Sequence, residues 1–175
     1  MEQYVRDARI NMIYEGTNSI QSLDLLGRKV LGNQGATLQK FGKQIEKLVK
    51  AEMANEAMAE FIKPLADIGQ KVTQLTTELG MKAMSNADEV GAAAVDYLRV
   101  TGHLVFAYFW ARMAQVALAE IAKAEEDAQR PDPFYTAKLQ TARFYFARLL
   151  PETASLIRSA RSGSDVLMET DAALA

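Results

Sequence analysis

Glu15 is the candidate acid–base residue of this sequence. It lies in segment 14–18, which interrupts two stretches of helical character. A carboxylate that such a break projects into a cleft can accept a proton if burial raises its pKa. Taken alone, Glu-Gly-Thr in a loop predicts a solvated glutamate, because most carboxylates outside regular structure are exposed to water.

Few other side chains could carry chemistry. The sequence has no cysteine and a single histidine, His103. Disulfides, thiolate zinc sites, cysteine nucleophiles and multi-histidine metal sites are therefore excluded, and we expect no metal site. Because His103 enters an apolar stretch, we favour a core or interface histidine over a ligand or the phosphoacceptor of a helical phosphotransfer or sensor domain.

The composition is that of an ordinary soluble domain. Of 175 residues, 49% are hydrophobic and 24% are charged, and the formal net charge is -2. This balance gives no general reason to expect nucleic acid or an anionic membrane as partner. The lack of cysteine fits a reducing compartment, so we predict a cytoplasmic location. The most apolar run, 104–111, is too short to span a bilayer, and we predict no membrane span.

Helical periodicity runs through the whole chain, and no segment shows the alternation of a strand. We expect the helices to cover about 2–13, 17–31, 36–54, 58–79, 89–127 and 132–163. Ile20, Leu23 and Val30 form the expected apolar side of the second helix. Gly163 marks the expected end of the last helix. Pro151 should kink or interrupt that helix.

Two patterns predict how these helices pack. The fourth helix carries a seam with alternating spacings of three and four, which is typical of helices packed nearly antiparallel; its residues are Met58, Phe61, Leu65, Ile68, Val72, Leu75 and Leu79. Between 104 and 119 the next helix is apolar on nearly every side, with Arg112 as its one charge. Such a helix packs on several faces, either centrally in a bundle or against another subunit. We therefore predict an all-α fold, an up-and-down antiparallel helical bundle with an N-terminal helical hairpin.

Several surface and core assignments follow from the same spacing. The lysines of the third helix should form a solvated face: Lys40, Lys43, Lys47 and Lys50. The methionines should fill the core: Met53, Met58, Met81 and Met84. The aromatic run should serve packing, not cofactor binding: Phe106, Tyr108, Phe109 and Trp110.

The stretch 6–21 reads Arg-Asp-Ala-Arg-Ile-Asn-Met-Ile-Tyr-Glu-Gly-Thr-Asn-Ser-Ile-Gln. It resembles the acyl-CoA dehydrogenase pattern Arg-Asp-Ala-(Lys/Arg)-Ile…Ile-Tyr-Glu-Gly-Thr…Ile-Gln. The resemblance covers roughly the first 30 residues. The following helices are similar to the extra C-terminal helical domain of the larger members, those of the methylthiopropionyl-CoA dehydrogenase type. The chain should thus divide into 1–33, the end of the catalytic helical domain, and 34–175, the extra domain.

The resemblance implies an activity and a set of site residues. Glu15 would remove the α proton of an acyl-CoA while hydride leaves the β carbon for FAD, which yields the trans-2-enoyl-CoA. Tyr14 and Gly16 would line the thioester end of the substrate. Thr17 and Ser19 would contact FAD, although the family more often has glutamine at position 19. An electron-transfer flavoprotein would be the electron acceptor.

The family builds its flavin site from an N-terminal helical domain, a central β domain and a C-terminal helical domain. The first two have no counterpart in this sequence, which starts close to the motif. We therefore expect an excised segment with an added Met1, inactive by itself and unable to hold FAD. An alternative is a helical assembly or oligomerisation module without catalysis of its own; in either case we expect a homo-oligomer.

Overall fold

The computed structural model describes residues 2–13 and 16–169, which contain eight α-helices and no β-strand. The helices are α1 Glu2–Arg9, α2 Asn18–Leu23, α3 Ala36–Glu52, α4 Ala59–Ser85, α5 Asp88–Glu126, α6 Pro133–Phe144, α7 Thr153–Arg161 and α8 Asp165–Met168. Short 3-10 turns cover Ile10–Met12, Leu31–Asn33, Glu56–Met58 and Leu150–Glu152. The turns Asp24–Val30 and Tyr145–Leu149 are π-helical. The predicted all-α class is confirmed.

Helix α5 is the centre of the fold. Its 39 residues pack against α2, α4, α6 and α7. Alanines at many of its core positions let these neighbours approach closely; they are Ala93, Ala94, Ala107, Ala111, Ala114 and Ala117. By length and composition alone α5 could also cross a membrane, a property that it shares with the core helices of many soluble proteins.

The seam of α4 is buried as the spacing predicts. Each of the seven residues from Met58 to Leu79 is at most 2% exposed. Pro64 lies within the first two turns of α4, where its missing N–H removes one backbone hydrogen bond. The seam meets α5, where the buried Tyr97 hydroxyl lies 2.7 Å from Oγ1 of Thr76. The long α4–α5 pair is therefore held by apolar packing and by a polar contact between the two helices.

The predicted apolar side of α2 is wrong at two of its three positions. Val30 is buried, but Ile20 and Leu23 are 67% and 45% exposed. The helix instead buries Ser22 and Leu26. Ser22 is small, and its hydroxyl donates to the carbonyl of Ser19 at 2.7 Å, so this side can lie close against α5. Close packing against α5 therefore favours burial of the small Ser22 and leaves the larger Ile20 and Leu23 exposed.

The methionines are not core filler as a group. Met58 is fully buried, but Met53, Met81 and Met84 are 66%, 61% and 90% exposed. Met53 follows the end of α3, and Met84 lies in the last turn of α4, where the neighbouring helices no longer cover it. The lysines of α3 are exposed, so their predicted solvated face is confirmed.

The helix ends follow the local signals. Gln34 and Gly35 adopt left-handed conformations between the 3-10 turn and α3. Asp132 caps α6, since its side chain accepts from the backbone N–H of Phe134 at 2.8 Å. Pro151 stands in the 3-10 turn that separates α6 from α7, and Gly163, with φ +87°, follows α7. Residues 170–175 lie outside the described residues.

Candidate functional site

The segment that carries the motif is a helix, a break and a second helix. Helix α1 tightens into a 3-10 turn over Ile10–Met12. Tyr14 and Glu15 lie outside the described residues. The chain is described again from Gly16, and α2 begins at Asn18. Of the predicted break, Gly16 and Thr17 are described, and both lie outside the helices.

Gly16 makes a sharp turn directly after Glu15. Its φ is +93°, in the region that disfavours every residue with a Cβ, while nothing lies within 4 Å of the position that a Cβ would occupy. Backbone conformation, and not crowding within this chain, therefore accounts for glycine at this position. The open side of Gly16 leaves room for another group to approach the backbone.

Thr17 and Ser19 flank the start of α2. Thr17 is half-buried and occupies the N-cap, although its side chain makes no capping hydrogen bond to the helix. Asn18 is the first residue inside α2 and is therefore not its N-cap. Ser19 is exposed. The structure therefore brings Gly16, Thr17 and Ser19 together on one short segment, while their roles stay predictions.

The surface around this segment is apolar and uncovered. No described residue of 2–13 is buried, and the large side chains Tyr4, Val5, Met12 and Ile13 are 62–80% exposed. The charged side chains of α1 pair locally, with Arg6 3.6 Å from Glu2, as the sequence indicates for a helix surface. An apolar surface of this kind beside a polar segment is typical of a region that another part of a protein covers.

The cavities of the described chain lie elsewhere. A groove of about 1130 Å³ runs between α3 and α4, with Gly42, Gly69 and Thr73 among its walls. A smaller cavity of about 620 Å³ lies between the end of α2 and the start of α5. Neither is lined by Gly16, Thr17 or Ser19. These two cavities are therefore separate from the described residues of the motif segment.

His103 is packed inside the bundle, as predicted. Its side chain is 15% exposed, and Nδ1 lies 3.0 Å from the hydroxyl of Tyr145. That hydroxyl donates to the backbone carbonyl of His103 at 3.0 Å, so its oxygen accepts from Nδ1–H. Nε2 lies 3.4 Å from Glu152, which also pairs with Arg99. Burial raises the pKa of Tyr145, which therefore stays a neutral hydrogen-bonding group.

A second polar cluster, at the start of α5, was not apparent from the sequence. Glu89 is buried and accepts from the backbone N–H and the hydroxyl of Ser164, at 2.9 and 2.8 Å. Lys82 lies 3.5 Å from its other oxygen. The Ser164 hydrogen bonds hold the pKa of Glu89 below its usual range. No signal near either residue indicates this contact, because the two are 75 positions apart.

No group of three or more histidine, aspartate or glutamate side chains within the described ranges could hold a metal ion.

The aromatic run of α5, from Phe106 to Trp110, contains both buried and exposed rings. Tyr108 is buried and packs edge-on against Phe41, with ring centroids 5.4 Å apart, whereas Phe106 and Phe109 are more than half exposed. Packing therefore explains only part of this run.

Residues 41–171 match the family described as "Acetyl-CoA dehydrogenase C-terminal like". The chain belongs to this family. The match begins within α3, so in the described chain it takes in most of α3 and all of α4 to α8. The acyl-CoA dehydrogenase C-terminal-like domain is thus the bundle around α5, and the motif segment stands before it.

Curated relatives extend the similarity toward the N-terminus. The chain is 30% identical to the broad-specificity linear acyl-CoA dehydrogenase FadE5 of Mycobacterium tuberculosis, over 99% of this chain and 29% of the relative. It is 34% identical to 3-methylmercaptopropionyl-CoA dehydrogenase of Ruegeria pomeroyi, over 87% of this chain and 25% of the relative. A butyryl-CoA dehydrogenase of Syntrophomonas wolfei is 26% identical over 85% of this chain and 24% of the relative. The chain therefore spans between 24% and 29% of the length of these relatives.

Proposed function

We propose that this chain is the C-terminal portion of a flavin-dependent acyl-CoA dehydrogenase and that Glu15 is its catalytic base. The observation that carries the proposal is the alignment to a linear acyl-CoA dehydrogenase over 99% of the chain, which takes in the motif segment together with the bundle. The motif residues around Glu15 agree with the family pattern, which a solvated loop glutamate has no reason to share.

The local structure suits a base at position 15. Glu15 stands between the end of a helical turn and the left-handed Gly16, where the chain changes direction. When an acyl-CoA lies against this segment, the carboxylate takes the α proton, and close positioning of the two groups lowers the barrier.

The flavin would meet only a small part of its site on this chain. When bound, FAD supplies the acceptor for the hydride that leaves the β carbon. Thr17 and Ser19 present hydroxyl groups at the start of α2 that can hydrogen-bond to it, but neither lines a described cavity. Their side chains therefore fit a contact to a cofactor that other parts of the protein enclose.

The 175-residue chain alone should accordingly bind no FAD and turn over no acyl-CoA. The uncovered apolar side chains of residues 2–13 support this, because they offer a surface for the remainder of a dehydrogenase. Turnover of an acyl-CoA by the purified chain would contradict the proposal directly.

We extend the proposal to the substrate class, the electron acceptor and the cellular location of the protein. The names of the relatives point to linear acyl chains, including a butyryl group, as the substrate class. Electrons would pass to an electron-transfer flavoprotein, and the protein would act in the cytoplasm. An assembly role for the bundle is compatible with this activity, and the exposed side chains of α5 favour it.

The decisive experiment is anaerobic bleaching of the flavin band in the longer polypeptide that contains this segment. The wild type, Glu15→Gln and Glu15→Asp would each be mixed with butyryl-CoA and with longer linear acyl-CoAs. Glu15→Gln keeps the shape and removes the base, so we expect flavin binding with bleaching at least about 100-fold slower, the lower end of the range for loss of a general base. Glu15→Asp should fall between the two.

Glu125→Gln is the matched control, because Glu125 is an exposed carboxylate near the far end of α5. It should bleach like the wild type. If Glu15→Gln and Glu125→Gln bleach equally fast, Glu15 is not the base. If the wild type binds no flavin, the dehydrogenase assignment itself fails.

A further inference from the structure

Among the described residues, the motif segment is joined to the bundle mainly through the helix that follows it. The stretch before it, residues 2–13, has no buried side chain. Helix α2, which comes after it, packs against α5, and so does the π-helical turn Asp24–Val30 that continues α2. Within the described part of the chain, α5 is therefore the main support of the segment that contains Glu15.

The first close approach of α2 to α5 lies at Ser22, which is fully buried. Its hydroxyl donates to the carbonyl of Ser19 at 2.7 Å. A hydroxyl has one proton, and here that proton is used within α2, so it is not available to α5. Position 22 therefore contributes a small side chain to the contact between the helices.

A second close approach lies at Gly27, within the π-helical turn. A Cβ at this position would lie 3.6 Å from Cγ1 of Val90, in the first turn of α5. This is an ordinary van der Waals distance, so the backbone of Gly27 lies directly against Val90. The adjacent Leu26 is fully buried, and Val30 is 4% exposed. The contact with the bundle thus extends from Ser22 to Val30.

We propose that α5 positions the motif segment through Ser22 and Gly27, so that the C-terminal bundle sets where Glu15 meets an acyl-CoA. The inference rests on the proposed role of Glu15 as the base. Helix α2 begins three residues after Glu15, so a shift of α2 against α5 is passed on to the motif segment. Ser22 and Gly27 are positioning residues, since both act through this helix. A displacement of about 1 Å can cost about 100-fold in rate.

Anaerobic flavin bleaching by butyryl-CoA, in the longer polypeptide that contains this segment, tests the proposal. Ser22→Leu should push α2 away from α5, because overpacking a filled contact forces the backbone to shift. We expect flavin binding with bleaching about 100-fold slower at saturating butyryl-CoA, and little change in the half-saturating concentration. Ser22→Ala keeps the side chain small and should bleach like the wild type.

Ala142→Leu is the matched control, because Ala142 is a fully buried residue of α6, outside the contact of α2 with α5. It adds even more volume than Ser22→Leu, so both variants should lower the melting temperature. Only Ser22→Leu should slow bleaching. Equal slowing in the two variants, or a wild-type rate in flavin-bound Ser22→Leu, would overturn the proposal.

A cysteine pair tests the same contact without overpacking it. In the double variant Gly27→Cys, Val90→Cys the two thiols should form a disulfide, since a Cβ at position 27 lies 3.6 Å from Cγ1 of Val90. If α5 holds the motif segment in its working position, the oxidised protein should bleach as fast as the same protein after reduction. Slower bleaching in the oxidised form would show that α2 must move against α5. Failure to form the disulfide would show that the helices do not meet there, and either result would refute positioning by α5.

Glu15→Gln in the same series separates this inference from the proposed function. If Glu15→Gln bleaches like the wild type, the base is wrongly assigned and the inference fails with it. If Glu15→Gln is slow while flavin-bound Ser22→Leu bleaches like the wild type, Glu15 stays the base and only the positioning by α5 is wrong.

Discussion

The contact between Glu89 and Ser164 makes the sharpest prediction about stability. It joins the first turn of α5 to the turn after α7, and both residues are buried. Replacing Glu89 with glutamine keeps the shape and the acceptor oxygen but removes the charge. Each of the two Ser164 hydrogen bonds then falls from the charge-assisted to the neutral range, a loss of about 1 kcal/mol per bond.

The position of Glu89 at the N-terminus of α5 adds a smaller contribution to the free energy of unfolding. A negative charge in the first turn of a helix is worth about 0.5 kcal/mol, and Glu89 shares that turn with the exposed Asp88. Lys82 is 41% exposed, so its ion pair with Glu89 is screened by water and counts for little. Glu89→Gln should therefore cost about 2.5 kcal/mol in all, which lowers the melting temperature by about 5–10 °C for a chain of this length.

Asp88→Asn is the matched control, because it removes a charge from the same helix end without touching Ser164. It should cost about 0.5 kcal/mol, which corresponds to about 1–2 °C. Thermal and urea unfolding followed by far-UV circular dichroism would measure both variants. Equal effects for Glu89→Gln and Asp88→Asn at pH 7 would refute the argument from the Ser164 contact.

The pH dependence gives a second check. The hydrogen bonds from Ser164 hold the pKa of Glu89 below its ordinary value of 4.5 in the folded chain. The charged form therefore stabilises the fold fully above the unfolded-state pKa, and this contribution is lost as the pH falls through the folded pKa. The difference between wild type and Glu89→Gln should be largest at pH 7 and shrink steadily below about pH 5. A difference that does not change with pH would show that the charge is unimportant.

Two further substitutions test the packing of the bundle. Tyr97→Phe removes a buried hydroxyl that contacts Thr76 at 2.7 Å, so urea unfolding should show a loss of about 1 kcal/mol, while the exposed Tyr4→Phe should change nothing. Gly35→Ala places a Cβ on a residue with φ +76° and should destabilise the chain by about 1 kcal/mol or more. Gly42→Ala, inside α3 with nothing near its Cβ, should stabilise it by about 0.5–1 kcal/mol. The same sign for both glycine variants would contradict the assignment of strain to Gly35.

The sequence predicts well what local forces decide. The bounds of α5, the start of α4 and the burial of the seam from Met58 to Leu79 follow from helical periodicity, because a long one-sided apolar stripe has a single way to leave water. The end of α4 was predicted six residues too early, at about 79. The breaks at Gly35, Pro151 and Gly163 follow from the backbone preferences of glycine and proline. These effects act within a few residues, so no knowledge of the partner helices is needed.

In the candidate site, too, local features can be predicted from the sequence and long-range contacts cannot. The motif around Glu15 can be recognised in the sequence because its residues are contiguous, and the structure adds the left-handed turn at Gly16. The polar pairs of the bundle cannot be predicted from the sequence. His103 contacts Tyr145, 42 positions away, and Glu89 contacts Ser164, 75 positions away, and neither spacing has a local signature.

By itself, then, the sequence determined that the chain is helical, where most of the helices begin and end, and which segment resembles a catalytic motif. Only the tertiary structure decided which faces are covered. Helix α2 buries Ser22 and leaves Ile20 exposed because α5 approaches most closely where the side chain is small. Helix α5 is apolar on nearly every side, so its periodicity could not indicate which side stays open; the neighbours that pack against it leave Phe106 and Phe109 at the surface.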